Sequence, residues 1–442
     1  MTEIIIRGGT IVTMDPSWNV VTGDVHARGG RLVQVGGQAV PTTRDYEILD
    51  AEGALVLPGL VQTHIHTCQT LARGRADDLA LLDWLAKVVW PYEAALERDD
   101  VAAAARLACA ELLLGGTTTI QDMGTVRHTD AIFEVVRDAG LRATIGKAMM
   151  DTGVDVPAGL HESTRASIDE SVALCRAWHG AENGRLRYAF APRFVLSCSE
   201  ELLREVATTA RQLGARIHTH ASENRDELAA VYRERGDANI AYLDRVGLTG
   251  HDVGLAHCVW LEERERRILS DTQSNLLHCP SSNLKLASGI AAVPELMAEG
   301  VPVSLGADGA ACNNNLDGFL EMRLCALIHK PRVGPAALPA RQVVKMATVG
   351  GARALGLESE IGSLEMGKRA DLIVVDTQAA HVVPTDSPYS ALVYACRSTD
   401  VRHVVVSGRA LVRSRALLTL DAGAAADDAR IRGRRIFERI SR

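Results

Sequence analysis

Hydrophobic and polar positions change rhythm twice along this chain. The N-terminal segment alternates in short bursts, EIIIRGGTIVTM, DVHARGGRLVQVGG and YEILDAEGALVLPG, with glycine-rich corners that suit hairpins. The same texture returns near the end in GKRADLIVVDT and VRHVVVSGRALVRSRALLTLD. These distant pieces predict one small β-sandwich built from both ends of the chain, residues 1–57 with 362–442. Between them, over residues 58–361, apolar runs alternate with amphipathic stretches such as VAAAARLACAELLLGG, TDAIFEVVRDAG and SEELLREVATTARQLG. Strand-then-helix repetition implies a parallel sheet covered on both faces. The runs that read as strands are ALVLPGLVQTHIH, TTTIQD, ATIGKA, RYAFAPR, ARIHTH, VGLAH, SNLLH and VPVSLGAD, enough to close a (β/α)8 barrel. In order they deliver His64 and His66, Asp122, Lys147, Arg193, His220, His257, His278 and Asp308. A doubly wound open sheet also fits the alternation, but a closed barrel brings all these strand ends to one mouth.

Composition narrows the picture. The 47% hydrophobic and 23% charged content is that of an ordinary globular chain. A net charge of -7 without a basic block argues against nucleic acid or an anionic membrane as partner. Nine cysteines without a CxxC pair, no apolar run of membrane-spanning length and no secretory pattern at the start predict a cytoplasmic protein without disulfides. Aromatics are only 4%, so a ligand is expected to be gripped by polar groups.

The candidate chemistry begins at GLVQTHIHTCQ. Residues two apart on a strand share a face, so His64 and His66 project together into the mouth and can share a metal ion. An isolated HxH serves equally well as a packed pair. RIHTHASEN then adds His220 at another strand end, with Glu223 three residues on; His218 shares that strand face and competes for the ligand role. LAHC supplies His257, and SLGADGAACNN ends an apolar strand in Asp308, a carboxylate costly to bury unless it is paired or bound. Three imidazoles, one carboxylate and a solvent position make a mononuclear hydrolytic site. Cys68, Cys258 and Cys279 lie nearby in sequence without a nucleophile arrangement and read as packing residues.

PGLVQTHIH, IHTHASEN, LAHCVWL, HCPSSNLKLASG, LGADGAACNNNLD and GSLEMGKRADLIVVD together resemble the amidohydrolase superfamily, in particular its branch that deaminates heterocyclic bases. The resemblance covers nearly the whole chain. It implies a distorted (β/α)8 TIM barrel with a small β-sandwich domain, and one divalent metal ion: Zn2+ first, with Fe2+ or Mn2+ as alternatives. It further implies that His64, His66, His220 and Asp308 are ligands, that Glu223 relays a proton from water to a ring nitrogen, and that His257 orients that water. Asp308 would also accept a proton. Lys147 is not assigned as a metal bridge. Relatives commonly form homo-oligomers, so one is expected here.

On substrate the motifs divide. HTCQ with Gln69, APRFVLSCSEELL with Arg193 and Phe194, and GKAMMD resemble guanine deaminases, in which the matching Gln and Arg bond the purine and the Phe packs on it. NLKLASGIAAVPELM, ADGAACNNNLDGFLEMR and TLARGRADDLALLDWL resemble methylthioadenosine/S-adenosylhomocysteine deaminases, where a Glu like Glu93 of VVWPYEAAL binds ribose hydroxyls. That family tends to carry His where this chain has Arg193 and Met where it has Gln69. The expectation is an aminohydrolase releasing ammonia from a small purine-like heterocycle, a guanine-type base ahead of an adenosine-type nucleoside. A triazine or pterin hydrolase and a non-catalytic purine-binding relative stand behind it. Plainer roles compete: an ion-pair Arg193, a helix-capping Gln69, a solvated Glu93. His278 is left between metal, substrate and loop.

Overall fold

The computed structural model describes residues 3–441, so Met1, Thr2 and Arg442 of the terminal segments lie outside the described residues. The chain's two ends meet in one sheet. Its strands run in the order Ala416–Leu417, Arg409–Arg413, Val401–Val406, Leu372–Asp376, Ala54–Pro58, Glu3–Val12, Val20–Arg28 and Arg31–Val35, with Tyr46–Asp50 also paired to Glu3–Val12. The C-terminal piece joins the N-terminal one where Val374 stands opposite Val56 in an antiparallel pair. The small β domain expected from both ends of the chain is present, and hydrogen bonding runs continuously through its nine strands around a core of its own. That core includes Ile4, Ile6, Ile11, Val25, Val56, Leu372 and Val405.

The run ALVLPGLVQTHIH, read as one strand, is two. Ala54–Pro58 belongs to the end sheet and Leu60–His66 opens the barrel. The chain changes sheets at Gly59, where a Cβ would come within 2.1 Å of the Thr118 side chain. A side chain there is sterically excluded, and so glycine makes the crossing.

Seven more parallel strand positions follow Leu60–His66: Thr117–Met123, Arg142–Gly146, Leu186–Pro192, Arg216–Ala221, Val253–His257, Asn275–His278, and an eighth made of Val303–Leu305 and Asp308–Gly309. The eighth closes the barrel in two steps. Leu305 pairs with His278 of the seventh strand; past Gly306 and Ala307, Asp308 pairs with Ile65 of the first. Gly306 passes so close to the first strand that a Cβ would meet the His64 carbonyl oxygen at 2.6 Å. This broken strand is the distortion in the barrel, and it places Asp308 between His64 and His66.

Helices cover the outside for the usual reason. Glu200–Gln212 buries Leu202, Leu203, Val206, Ala207 and Ala210 on one face, and Ser199 Oγ caps it by accepting from Leu202 N at 3.1 Å. Each fully buried Leu or Val of this kind contributes roughly 1.5–3 kcal/mol. The C-terminal helix Ala422–Ile440 docks on Arg98–Leu114, with Arg432 and Arg439 paired to Asp100. All nine cysteines are buried and unpaired. Among the described residues, no helix is long and apolar enough to cross a membrane.

Candidate active site

Five barrel strands deliver their terminal side chains to one point. His64 and His66 come from the first, Arg193 from just beyond the fourth, His220 from the fifth, His257 from the sixth and Asp308 from the eighth. Ligand atoms of His64, His66 and His220 lie within 4.8 Å of one another, as do those of His64, His257 and Asp308. The backbone turns sharply here. Ser222, His257, Cys258 and Asp308 all adopt left-handed φ values, 54°, 75°, 46° and 61°. Side chains rarely tolerate that conformation, and its clustering at a strand-end mouth marks a constrained functional centre.

The hydrogen bonds fix which nitrogen each imidazole offers. His66 Nδ1 lies 2.8 Å from the Met123 carbonyl oxygen, and His220 Nδ1 lies 2.6 Å from that of Arg193. A carbonyl only accepts, so both rings carry their proton on Nδ1 and present a bare Nε2. Those two Nε2 atoms stand 3.2 Å apart, lone pair toward lone pair. His64 Nδ1 is held by His218 Nε2 at 2.7 Å, leaving His64 Nε2 buried, without a hydrogen-bond partner and 3.4 Å from Asp308 Oδ1. Convergent acceptors of this kind fit a divalent cation, for which His64, His66, His220 and Asp308 would be the donor set, and the Nδ1 contacts orient the rings as supports of a metal site do.

The protonation states suit that role. Burial, then the charge of His64, drops His66 to about 4. Burial and neighbouring histidines also hold His218 and His220 well below the ordinary imidazole value. Burial alone would raise Asp308, but the histidines around it, His64 first, hold it well below the usual carboxylate range. Ser282 Oγ donates to Asp308 Oδ2 at 2.6 Å and its own neighbour Gly309 N donates to Oδ1 at 2.8 Å. Glu223 goes the other way: burial pushes it up to about 7, against the opposing charge of His257. Its Oε1 accepts from Ser288 Oγ at 3.2 Å, and its Oε2 lies 3.4 Å from His257 Nε2. His257 Nδ1 is fixed by Asn283 Oδ1 at 2.8 Å.

The adjoining pocket is lined by Gln69, Arg193 and Phe194 with the apolar side chains of Leu81, Trp84, Leu85 and Leu286. Glu93 stands behind its wall. Arg193 clasps Glu93 through both guanidinium branches, Nη2 at 3.0 Å from Oε1 and Nη1 on Oε2. Gln69 Nε2 donates to the same Oε1 at 3.1 Å. Arg193 is thus both a buried ion-pair partner and a pocket-lining group. Glu93 is buried, not solvated, and Gln69 makes no helix cap: it sits inside the turn Thr67–Ala72.

Three strand ends point elsewhere. Asp122 accepts from Thr67 N and Oγ1 at 2.9 and 2.7 Å, and burial raises it to about 7. Lys147 pairs with Glu162 at 2.7 Å and Glu170 at 3.2 Å. His278 groups with Cys325 and His329 and does not line the pocket. The sequence left His218 as a rival ligand; the structure turns its Nε2 onto His64 Nδ1 at 2.7 Å. Ser282, Asn283 and Ser288 went unnoticed in the sequence, although all three lie in the quoted HCPSSNLKLASG, because their partners come from other strands. The apolar wall at Leu81, Trp84 and Leu85 had only helical periodicity to announce it.

Known proteins bear on this arrangement. Residues 55–411 match the Amidohydrolase family. A 5'-deoxyadenosine deaminase of Methanosarcina acetivorans is 40% identical over 443 residues, covering 100% of both chains. A 5-methylthioadenosine/S-adenosylhomocysteine deaminase of Pelotomaculum thermopropionicum is 38% identical, covering 99% of this chain and 100% of its own. Among solved structures, an adenosine deaminase from Xanthomonas campestris with bound zinc superposes with a TM-score of 0.90 at 32% identity, over 99% of this chain and 98% of that one. These relatives carry adenosine-type names, so they do not support the precedence given to a guanine-type base and favour its alternative. By these matches and by its barrel and histidine centre, the chain belongs to the amidohydrolase family.

Proposed function

We propose that this amidohydrolase is a zinc-dependent aminohydrolase that replaces the ring amino group of adenosine-type nucleosides by oxygen, with 5'-deoxyadenosine and 5'-methylthioadenosine in its substrate class. The observation that carries the chemistry is the convergence of bare imidazole nitrogens, the Asp308 carboxylate and Glu223 at the base of one pocket. The substrate class rests on the names of full-length relatives. Leu81, Trp84, Leu85, Phe194 and Leu286 supply apolar walls of the kind a purine and a deoxy or methylthio substituent require.

A divalent metal held by His64, His66, His220 and Asp308 would supply a water acidic enough to attack at neutral pH. The protein's own groups then manage the protons. Glu223 titrates near neutrality, so it can take a proton from the attacking water and give it to the ring nitrogen beside the amine-bearing carbon. His257, locked by Asn283, faces both Glu223 and Asp308, at 3.4 and 3.9 Å, and orients the water between them. Asp308, ionised at the outset, accepts the remaining proton and passes it to the departing amine. One water enters, ammonia leaves and the ring carbon gains a carbonyl.

A second reading, an oxopurine base such as guanine, is favoured by one observation. Arg193 and Gln69 occupy both Glu93 oxygens on the pocket side, which sets the candidate ribose carboxylate behind two groups suited to a base edge. Ammonia release from 5'-deoxyadenosine, methylthioadenosine and guanine at equal concentration decides between them. Higher kcat/KM for the nucleosides supports the proposal; higher kcat/KM for guanine replaces it with the second reading.

A further inference from the structure

The seventh barrel strand ends in a histidine that the catalytic centre does not use. His278 faces outward to Cys325 of the helix Gly318–Ile328 and to His329, which ends that helix. All three are buried, and their ligand atoms lie within 4.8 Å of one another. The two imidazole rings stand with centroids 5.9 Å apart, tilted by 41°. Neither nitrogen of either ring has a hydrogen-bond partner. An unpartnered buried polar atom costs on the order of 1–3 kcal/mol, so four of them in one place call for an occupant.

The chemistry of the donors names the class of occupant. Cys325 and His329 are four residues apart, one above the other on a helix face. Burial keeps both imidazoles neutral, His278 dropped to about 3 and His329 to about 4, with their lone pairs free. Two imidazoles and a sulfur form a borderline-soft set that suits zinc over magnesium or calcium. Donor separations in such a site are roughly 3.3–3.8 Å, so side-chain rotation has to close the cluster by only about 1 Å.

We propose that His278, Cys325 and His329 form a second, structural zinc site outside the catalytic centre. Binding deprotonates Cys325, forms the zinc–thiolate bond and releases that proton to solvent. The site staples the seventh strand to the helix Gly318–Ile328 just ahead of the segment Cys279–Lys285. That segment carries Ser282, which holds Asp308, and Asn283, which holds His257. Glu321 of the same helix takes hydrogen bonds from Ser281 N at 3.1 Å and from Ser281 Oγ, so the staple reinforces an existing junction.

Cobalt tests this directly, because the catalytic donor set contains no sulfur. Full-length protein is stripped of metal and titrated with Co2+ while its near-ultraviolet spectrum is followed. The proposal predicts a second bound equivalent and a thiolate-to-cobalt charge-transfer band. Cys325→Ala is expected to lose the band and the second equivalent while retaining catalytic cobalt and ammonia release. A single bound equivalent without the band overturns the proposal in the wild-type protein alone, whatever the variant does. So does a band that persists in Cys325→Ala. A water bridging the two rings would give the first of these results.

Discussion

His218→Leu isolates a contact that touches neither substrate nor metal. In the folded protein His64 Nδ1 and His218 Nε2 are 2.7 Å apart in a fully buried setting. With a cation on His64 Nε2, the His64 proton sits on Nδ1 and His218 Nε2 accepts it. Leucine has comparable bulk and no acceptor. The His64 proton then moves to Nε2, where Asp308 Oδ1 stands 3.4 Å away. Metal binding has to reverse that transfer and leave a buried N–H unpaired, at about 1–3 kcal/mol. At 1.4 kcal/mol per decade this weakens zinc roughly 5- to 150-fold. Competition with a chromogenic chelator measures the affinity, and a melting curve on the same sample verifies the fold. His218→Gln, whose amide oxygen reaches toward the same point, should recover most of the loss. Wild-type zinc affinity in a folded His218→Leu protein refutes the reasoning, as does a Gln variant no better than Leu.

Other substitutions separate the remaining roles. Glu223→Gln should keep its metal and lose about 10²–10⁴-fold in kcat, read by ammonia release and metal analysis on one preparation; undiminished turnover removes Glu223 from the mechanism. Arg193→Ala strands the buried Glu93 carboxylate and should cost about 3–5 kcal/mol of stability by denaturant titration, whereas Glu93→Leu with Arg193→Met should recover most of it. Because the Arg193 carbonyl, not its side chain, holds His220, metal content in Arg193→Ala should stay near wild type while KM rises. Lys147→Met should leave metal content unchanged, since Lys147 serves Glu162 and Glu170. A loss of metal there would contradict that assignment and give the lysine a part in the metal site.

The barrel and the convergence of its strand-end histidines were legible in the sequence because they depend on local rules. Strand periodicity puts His64 and His66 on one face, and a carboxylate at the end of an apolar strand, as at Asp308, needs a partner. The end sheet was legible as short strands, but its single continuous path was not. Ala54–Pro58 and Leu60–His66 read as one apolar run, because alternation does not reveal the steric crowding at Gly59 that separates them. The strand-end rule overreached at Asp122, Lys147 and His278, whose partners Thr67, Glu162 and His329 come from elsewhere in the fold. Gln69 and Arg193 were singled out for a purine base and Glu93 for ribose hydroxyls. That they bind one another is a matter of distance between the first and fourth strands and the segment containing Glu93.

The central claim is that these histidines and Asp308 serve a metal-dependent deamination. The measurement that tests it most directly is ammonia release from 5'-deoxyadenosine by chelator-stripped protein, before and after zinc is restored, with Glu223→Gln alongside. The account predicts no release from the stripped protein, recovery on adding zinc, and little release from the variant. Equal ammonia release with and without metal, or none from zinc-loaded protein with any aminopurine, would contradict it.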